Sequence, residues 1–277
     1  MKNAKQLTDI IGFLPYRMAF AGGWIDQPFV SQNNPAPPGS MVVVALEPTC
    51  RFMERSGMGT STRKIAAALW GDKLPDEDPE KLMRELYAAE NARQAEPSGS
   101  QDMAGIVYPG INRLDYDFAH EGGYFPVHIE SNNDPGVARW LERVLHMVPI
   151  AQRPPGYNPL GEKNLDPAWI KRLGQSGKEC FDAIVSQDVR RLGASMNECM
   201  KCWEAILPCT VTSNHHHRFD GDPGLLSIPV CRSDVLRQWR RVHLRRVGGR
   251  GAGIVSRECQ DCAIKDSYEE SRRNGKF

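Results

Sequence analysis

The stretch at residues 15–28, PYRMAFAGGWIDQP, decides how the rest of the chain is interpreted. Its first part, 16–21, alternates in the manner of a β-strand and then meets Gly22-Gly23, a pair typical of a tight turn that excludes side chains. Asp26 follows at the exit of this turn. The stretch therefore predicts a strand that leads into a turn carrying a carboxylate.

A glycine-rich segment follows a second predicted strand at 41–46, whose β-branched run is typical of a buried strand. The segment reads SGMGTST at 56–62 and precedes a helix predicted at 63–70. A glycine-rich loop that opens a helix offers backbone N–H groups and a favourable dipole to a phosphate. The segment is thus a candidate phosphate loop, and the hydroxyls of Thr60, Ser61 and Thr62 are candidates for contacts with magnesium or phosphate oxygens.

Two further carboxylates lie downstream of this loop. Glu90 lies near the end of a helix predicted at 79–94, and Asp102 ends the polar turn PSGSQD at 97–102. Phosphoryl transfer to an alcohol needs positioned phosphates, metal ligands and a carboxylate near the attacking hydroxyl. The alternative is that Asp26 and Asp102 only cap turns and that Glu90 is a solvated surface residue.

Three motifs occurring in this order resemble those of the GHMP kinases, in particular the fucokinase-like and heptose-phosphate kinase-like members. Residues 15–28 match P-x-R-x-x-x-x-G-G-x-x-D-x-P, and residues 56–62 resemble the phosphate loop G-S-G-L-G-T-S-S. Residues 99–102, followed by 108–110, resemble G-x-Q-D-Q…Y-P-G. The shared order over about the first 115 residues carries the resemblance.

The resemblance implies a sugar kinase, an enzyme that uses ATP and Mg²⁺ to phosphorylate a hydroxyl of a sugar or sugar phosphate. It implies that Asp102 is catalytic and that Arg17 and Asp26 bind substrate. It implies that Ser61 and Glu90 are metal ligands. The implied ATP phosphate-binding residues are Ser56, Gly57, Met58, Gly59, Thr60 and Ser61.

The fold implied by the resemblance is a two-layer α+β fold. A GHMP kinase-like N-terminal β-α-β domain is expected over 1–125, carrying the phosphate loop and the substrate-binding motifs, and a C-terminal α/β, ferredoxin-like domain over 126–277. Helical spacing predicts helices at 136–147, 166–186 and 188–207 within the second domain.

The chain is atypical from about residue 213, where readable periodicity is lost. From there to residue 277 it carries 13 basic and 8 acidic residues, although the whole chain has a formal charge of only +1. One hypothesis is that this tail reflects an altered reading frame.

The segment between the second strand and the phosphate loop leaves an alternative function open. GHMP kinases place several strands and a helix there, which help to form the adenine pocket, whereas here only residues 47–55 intervene. The alternative is a catalytically impaired GHMP-like sugar-binding protein that lacks a complete nucleotide pocket.

Composition is that of an ordinary soluble protein, with 40% hydrophobic and 25% charged residues. A run of signal-peptide or membrane-span length is absent from the sequence, so a cytoplasmic protein without membrane contact is expected. The eight cysteines, unevenly spaced, fit reduced thiols better than a disulfide framework. The sequence leaves the oligomeric state open.

Two rival sites can be assembled from the second half of the chain. Cys199-x-x-Cys202 and Cys259-x-x-Cys262 could hold zinc, but their separation is far longer than in zinc ribbons. The basic stretch 237–250 could contact RNA phosphates, but a charge near zero and the lack of a recognised motif argue against nucleic acid as the partner.

Overall fold

The computed structural model describes residues 14–46, 59–94, 96–145 and 161–208, together with the backbone of two short strands at 225–227 and 243–245. All of these residues belong to one compact unit that spans 1–246. The segment 47–55, the first three residues of the candidate phosphate loop and most of the chain beyond residue 208 lie outside the described residues.

A four-stranded antiparallel sheet forms the centre of the described part, with the strands in the order β1-β2-β3-β4. The strands are β1 (Tyr16–Ala19), β2 (Gly39–Leu46), β3 (Ile111–Tyr116) and β4 (His128–Asn132). The predicted strands at 16–21 and 41–46 are confirmed, and the first ends early because the chain turns at Gly22, whose φ is +81°. A separate pair, β5 (Leu225–Ser227) and β6 (His243–Arg245), is also antiparallel.

Seven helices are present in the described part of the chain. They are α1 (Pro28–Ser31), α2 (Thr60–Trp70), α3 (Pro79–Asn91), α4 (Gln101–Val107), α5 (Pro135–Val144), α6 (Pro167–Val185) and α7 (Val189–Ile206). The five helices predicted from spacing are confirmed, whereas α1 and α4 were not predicted. Four helices begin after an aspartate whose side chain accepts backbone N–H groups of the first turn; the capping residues are Asp78, Asp134, Asp166 and Asp188.

Helix α6 packs directly on β2 because two of its residues have no side chain. A Cβ added at Gly177 would overlap the carbonyl oxygen of Ser40, and one added at Gly174 would lie 2.7 Å from the Cα of Gly39. Helix α7 packs against α6, and its Trp203 Nε1 donates a 3.0 Å hydrogen bond to the Gly23 carbonyl. The turn after β1 is therefore held by the helix pair.

Helices α4 and α6 cover opposite faces of the sheet. Arg17 on β1 pairs with Ala45 and contacts α4 through Gly105. Arg113 on β3 pairs with Val42, on the other face of β2, and lies over the ring of Phe181 in α6. The described residues thus form three layers, helix–sheet–helix, where the sequence predicted two.

The mixture of helices and an antiparallel sheet agrees with the expected α+β class. The division at residue 125 and the ferredoxin-like second domain stay predictions; β3 and β4, which are hydrogen-bonded to each other, lie on either side of that division. No described helix combines the length and the apolar character that crossing a membrane requires.

Candidate functional site

A buried ion pair joins the first and third motifs. Arg17, on β1, is 2% exposed, and its Nη2 contacts Oδ1 of Asp102, in the first turn of α4. The side chain of Asp102 is 23% exposed, so one edge of this carboxylate remains within reach of a substrate. Each charge offsets part of the cost of removing the other from water.

Glycines let two other segments close around the Arg17 side chain. A Cβ added at Gly59, which precedes α2, would lie 2.8 Å from Cγ of Arg17, and one added at Gly105 would lie 2.6 Å from its Cβ. Gly59 also has a φ of +67°, which favours glycine. The end of the candidate phosphate loop is therefore fixed against the first motif.

Thr62 links two carboxyl groups of the site. It is completely buried in α2, and its Oγ1 donates to Oδ2 of Asp102 at 3.4 Å. Burial, followed by the charge of Asp102, raises the pKa of Glu90 to about 7, while a hydrogen bond with Thr62 and the charge of Arg17 lower it. Near neutral pH, Glu90 thus lies close to the midpoint of its ionisation.

Asp26 lies deeper than the other acids of the site. It is 0% exposed, and among the described residues neither of its carboxyl oxygens has a hydrogen-bond partner of ordinary length and angle. Burial, with a smaller contribution from the charge of Asp102, raises its pKa to about 7, and the facing amides of Asp26 and Gln101 partly offset this. A Cβ at Gly99 would overlap Oδ2 of Asp26, so this carboxyl lies directly against the backbone of the third motif.

The start of α4 is also fixed from the sheet. Oγ of Ser100 and the hydroxyl of Tyr116, on β3, form a buried hydrogen bond of 3.0 Å. Burial raises the pKa of Tyr116 well above its ordinary value, and the charge of Asp26 adds to this. The Tyr116 hydroxyl therefore stays protonated and can donate.

The structure gathers most of the residues singled out from the sequence, although their roles stay predictions. Arg17, Asp26, Glu90 and Asp102 lie in one cluster. At the start of α2, Gly59 is buried, Thr60 is half-buried and Ser61 is exposed. Ser56, Gly57 and Met58 lie outside the described residues.

The sequence indicated Thr62 only as one of three hydroxyls that could reach magnesium or phosphate, and the resemblance implied Ser61 as the hydroxyl ligand of the metal. The structure places Thr62, rather than Ser61, beside Glu90 and Asp102. A signal was available: Thr62 and Ala66 are four residues apart and both lie on the buried face of α2.

The oxygen atoms of the cluster fit a magnesium ion. In the described ranges, no group of three or more His, Cys, Asp and Glu side chains is arranged to hold a metal by itself. Magnesium, however, is usually held by one or two carboxylates together with substrate phosphates and water. Oε2 of Glu90 is buried without a hydrogen-bond partner in the described structure, and the Thr62 hydroxyl lies next to that side chain. These two side chains are suitable ligands of that kind.

Three thiols are buried in the helix pair: Cys180, Cys199 and Cys202. Cys199 accepts a hydrogen bond from the amide of Gly22 at 3.2 Å. Burial raises the pKa of Cys202 to about 12, so this thiol is protonated rather than a metal-binding thiolate. The other half of the zinc site considered above, Cys259 and Cys262, lies outside the described residues.

No protein-family model matches the chain, and no curated protein matches it. Among solved structures, the phosphomevalonate kinase of Streptococcus pneumoniae is similar with a TM-score of 0.41 and 8% sequence identity. The similarity covers 78% of this chain and 85% of that chain. Function therefore has to be argued from the site itself.

Proposed function

We propose that the chain is a GHMP-type kinase that transfers the γ-phosphate of ATP to a hydroxyl of a sugar or sugar phosphate. One observation carries the proposal: Arg17, Thr62, Glu90 and Asp102, from four separate segments, meet in a single cluster. Phosphoryl transfer to an alcohol needs this combination of a cation, oxygen ligands and a partly exposed carboxylate. The choice of a sugar as acceptor rests on the resemblance of the three motifs alone.

Asp102 is the group that handles the proton in the proposed reaction. Its partly exposed carboxylate accepts the proton of the acceptor hydroxyl as that oxygen bonds to the γ-phosphorus. The bond between the γ-phosphorus and the bridging oxygen breaks, and ADP leaves. Arg17 holds Asp102 in place, and its buried positive charge lies beside the reacting oxygens.

The nucleotide and the metal would bind at the other side of the cluster. Glu90 and Thr62 are the side chains that would hold Mg²⁺, with Ser61 as the additional ligand predicted from the sequence. When bound, the ion neutralises charge on the phosphate oxygens. The amides at the start of α2, from Gly59 to Ser61, would face the phosphates, as would the predicted residues Ser56, Gly57 and Met58.

The test is transfer of labelled phosphate from ATP by the full chain, with magnesium and a panel of sugars and sugar phosphates. Asp102→Asn should reduce transfer to at least one acceptor by about a thousandfold. Because it also leaves the buried Arg17 without its counter-charge, its melting temperature should fall, and circular dichroism at the assay temperature has to show that the variant is folded. Asp188→Asn, which alters a half-buried helix cap at the start of α7, is the matched control and should keep full activity.

Thermal-shift titration separates the two functions that the sequence left open. Stabilisation by magnesium and ATP supports the kinase. A response to a sugar with no response to any nucleotide would replace the proposal by a sugar-binding protein without chemistry. Full activity in Asp102→Asn would also overturn the assignment of the site.

A further inference from the structure

We propose that Asp26 is a positioning residue, whose buried carboxyl group fixes the backbone at 99–101 and thereby places Asp102, instead of contacting the substrate as its motif suggests. The structural part of this inference stands by itself, and the consequence for turnover rests on the proposed kinase function.

Asp26 and Asp102 differ in how deeply they are buried. Asp26 has no exposed surface, whereas the side chain of Asp102 is 23% exposed. A sugar hydroxyl that reaches Asp102 from the surface therefore meets no atom of Asp26. Contact between the substrate and Asp26 would require the surrounding chain to open.

Asp26 packs closely against Gly99. Any side chain at Gly99 would overlap Oδ2 of Asp26, and its Cβ would also lie 2.5 Å from the Asp26 carbonyl oxygen. The backbone can approach this closely only because glycine has no Cβ. The carboxyl group of Asp26 thus packs directly against the backbone of the third motif.

A short segment of backbone connects this contact with Asp102. The amide of Gln101 faces the Asp26 carboxyl and lowers its pKa, and Asp102 is the next residue along the chain. From the sheet, Tyr116 holds Ser100 through the buried hydrogen bond of 3.0 Å. The backbone that delivers Asp102 is therefore held between Asp26 and Tyr116.

Hydrogen exchange of the full chain tests the structural part without any activity, and it is measured at about pH 4, where the raised pKa of Asp26 costs almost no stability. Asp26→Ala removes the carboxyl group that packs against this backbone and should speed exchange of the amides in a peptide covering 99–107 by about tenfold. Asp26→Asn keeps the shape and an accepting oxygen, so it should exchange there as the wild type does. Asp188→Asn should change exchange only at the start of α7. Unchanged exchange at 99–107 in Asp26→Ala would overturn the inference.

Separate measurement of kcat and of the KM for the acceptor tests the catalytic part of the inference. A positioning role predicts that Asp26→Ala lowers kcat at least about tenfold with the KM for the acceptor unchanged, and that Asp26→Asn keeps both values within about twofold. A rise of about tenfold in acceptor KM in Asp26→Asn would instead show direct contact with substrate and overturn the inference. Because Asp26→Asn preserves shape, this outcome is informative even if Asp26→Ala does not fold.

A wild-type chain that phosphorylates no acceptor would refute the kinase and leave the exchange result standing. An active wild type with unchanged exchange in Asp26→Ala would refute the positioning role alone. The two failures are therefore distinguishable.

Discussion

Replacing Asp26 by asparagine should make the protein more stable at alkaline pH and leave its stability at acidic pH nearly unchanged. The ordinary pKa of this carboxyl is 3.8, and burial raises it to about 7 in the folded chain. Below the lower value both states hold the proton, so the ionisation of Asp26 costs no stability. As the pH rises between the two values, the unfolded chain releases its proton while the folded chain keeps it, so stability falls. Above about pH 7 the loss is complete.

The size of the loss follows from the pKa difference. A difference of about 3 pH units corresponds to about 4 kcal/mol at roughly 1.4 kcal/mol per unit. Asparagine has nearly the same shape and does not ionise, so the stability of Asp26→Asn relative to wild type should grow by about this amount between about pH 4 and about pH 8.

Urea unfolding followed by circular dichroism, on both proteins over that pH interval, measures the difference directly. Asp188→Asn provides the baseline, because its aspartate is a half-buried helix cap, whereas Asp26 is completely buried. A difference between Asp26→Asn and wild type that is the same at every pH would refute the reasoning, since it would mean that the pKa of Asp26 is the same in the folded and the unfolded chain.

Three further outcomes are expected. Gly177→Leu should lower the free energy of unfolding by about 1–3 kcal/mol or more in a urea titration, because its Cβ would overlap the backbone of β2. Gly122→Asn should be nearly neutral, because its φ of +67° and ψ of 15° suit asparagine and the nearest atom to an added Cβ lies 3.6 Å away. Cys199 should resist alkylation in the native protein and react once urea unfolds it, as peptide mass mapping would reveal; rapid native labelling would contradict its burial. Thr62→Val should lower the rate of phosphate transfer by about tenfold or more, whereas Thr62→Ser should keep it, because only serine retains the hydroxyl beside Asp102. Equal rates in the two variants would show that Thr62 contributes only packing.

Helix positions were predictable where local signals agree with packing. An aspartate followed by proline begins α3, α5 and α6, and each of these helices has an apolar face that is buried in the structure. The strands were predictable because β2 carries a β-branched run that the structure buries almost completely. In these elements, propensity, spacing and burial favour the same structure.

Helix α4 was not predictable from its own residues. It is seven residues long, too short to be stable in isolation, and it follows a run of turn-forming residues. Its backbone packs against Arg17, a contact that only the glycine at position 105 allows and that lies far away in sequence. The turn predicted at 97–102 therefore becomes a helix from Gln101 because of tertiary contacts.

The candidate site was predictable as a set of residues but not as an arrangement. The order of the motifs indicated Arg17, Asp26, Glu90 and Asp102, and the structure brings these four together. The depth of each carboxylate could not be read from the sequence, because a loop aspartate has the same local pattern whether it is buried or exposed. Asp26 was therefore predicted to touch a substrate, although its side chain has no exposed surface.

The fit of Arg17 between Gly59 and Gly105 has a consequence for how this protein can vary. A larger residue at either glycine would collide with the arginine, and a shorter residue at position 17 would leave a gap and strip Asp102 of its counter-charge. Single replacements at these positions are thus costly, while a shorter residue at 17 makes room for a Cβ at 105. The positions form one epistatic unit, and divergence or redesign of this site has to proceed through paired substitutions.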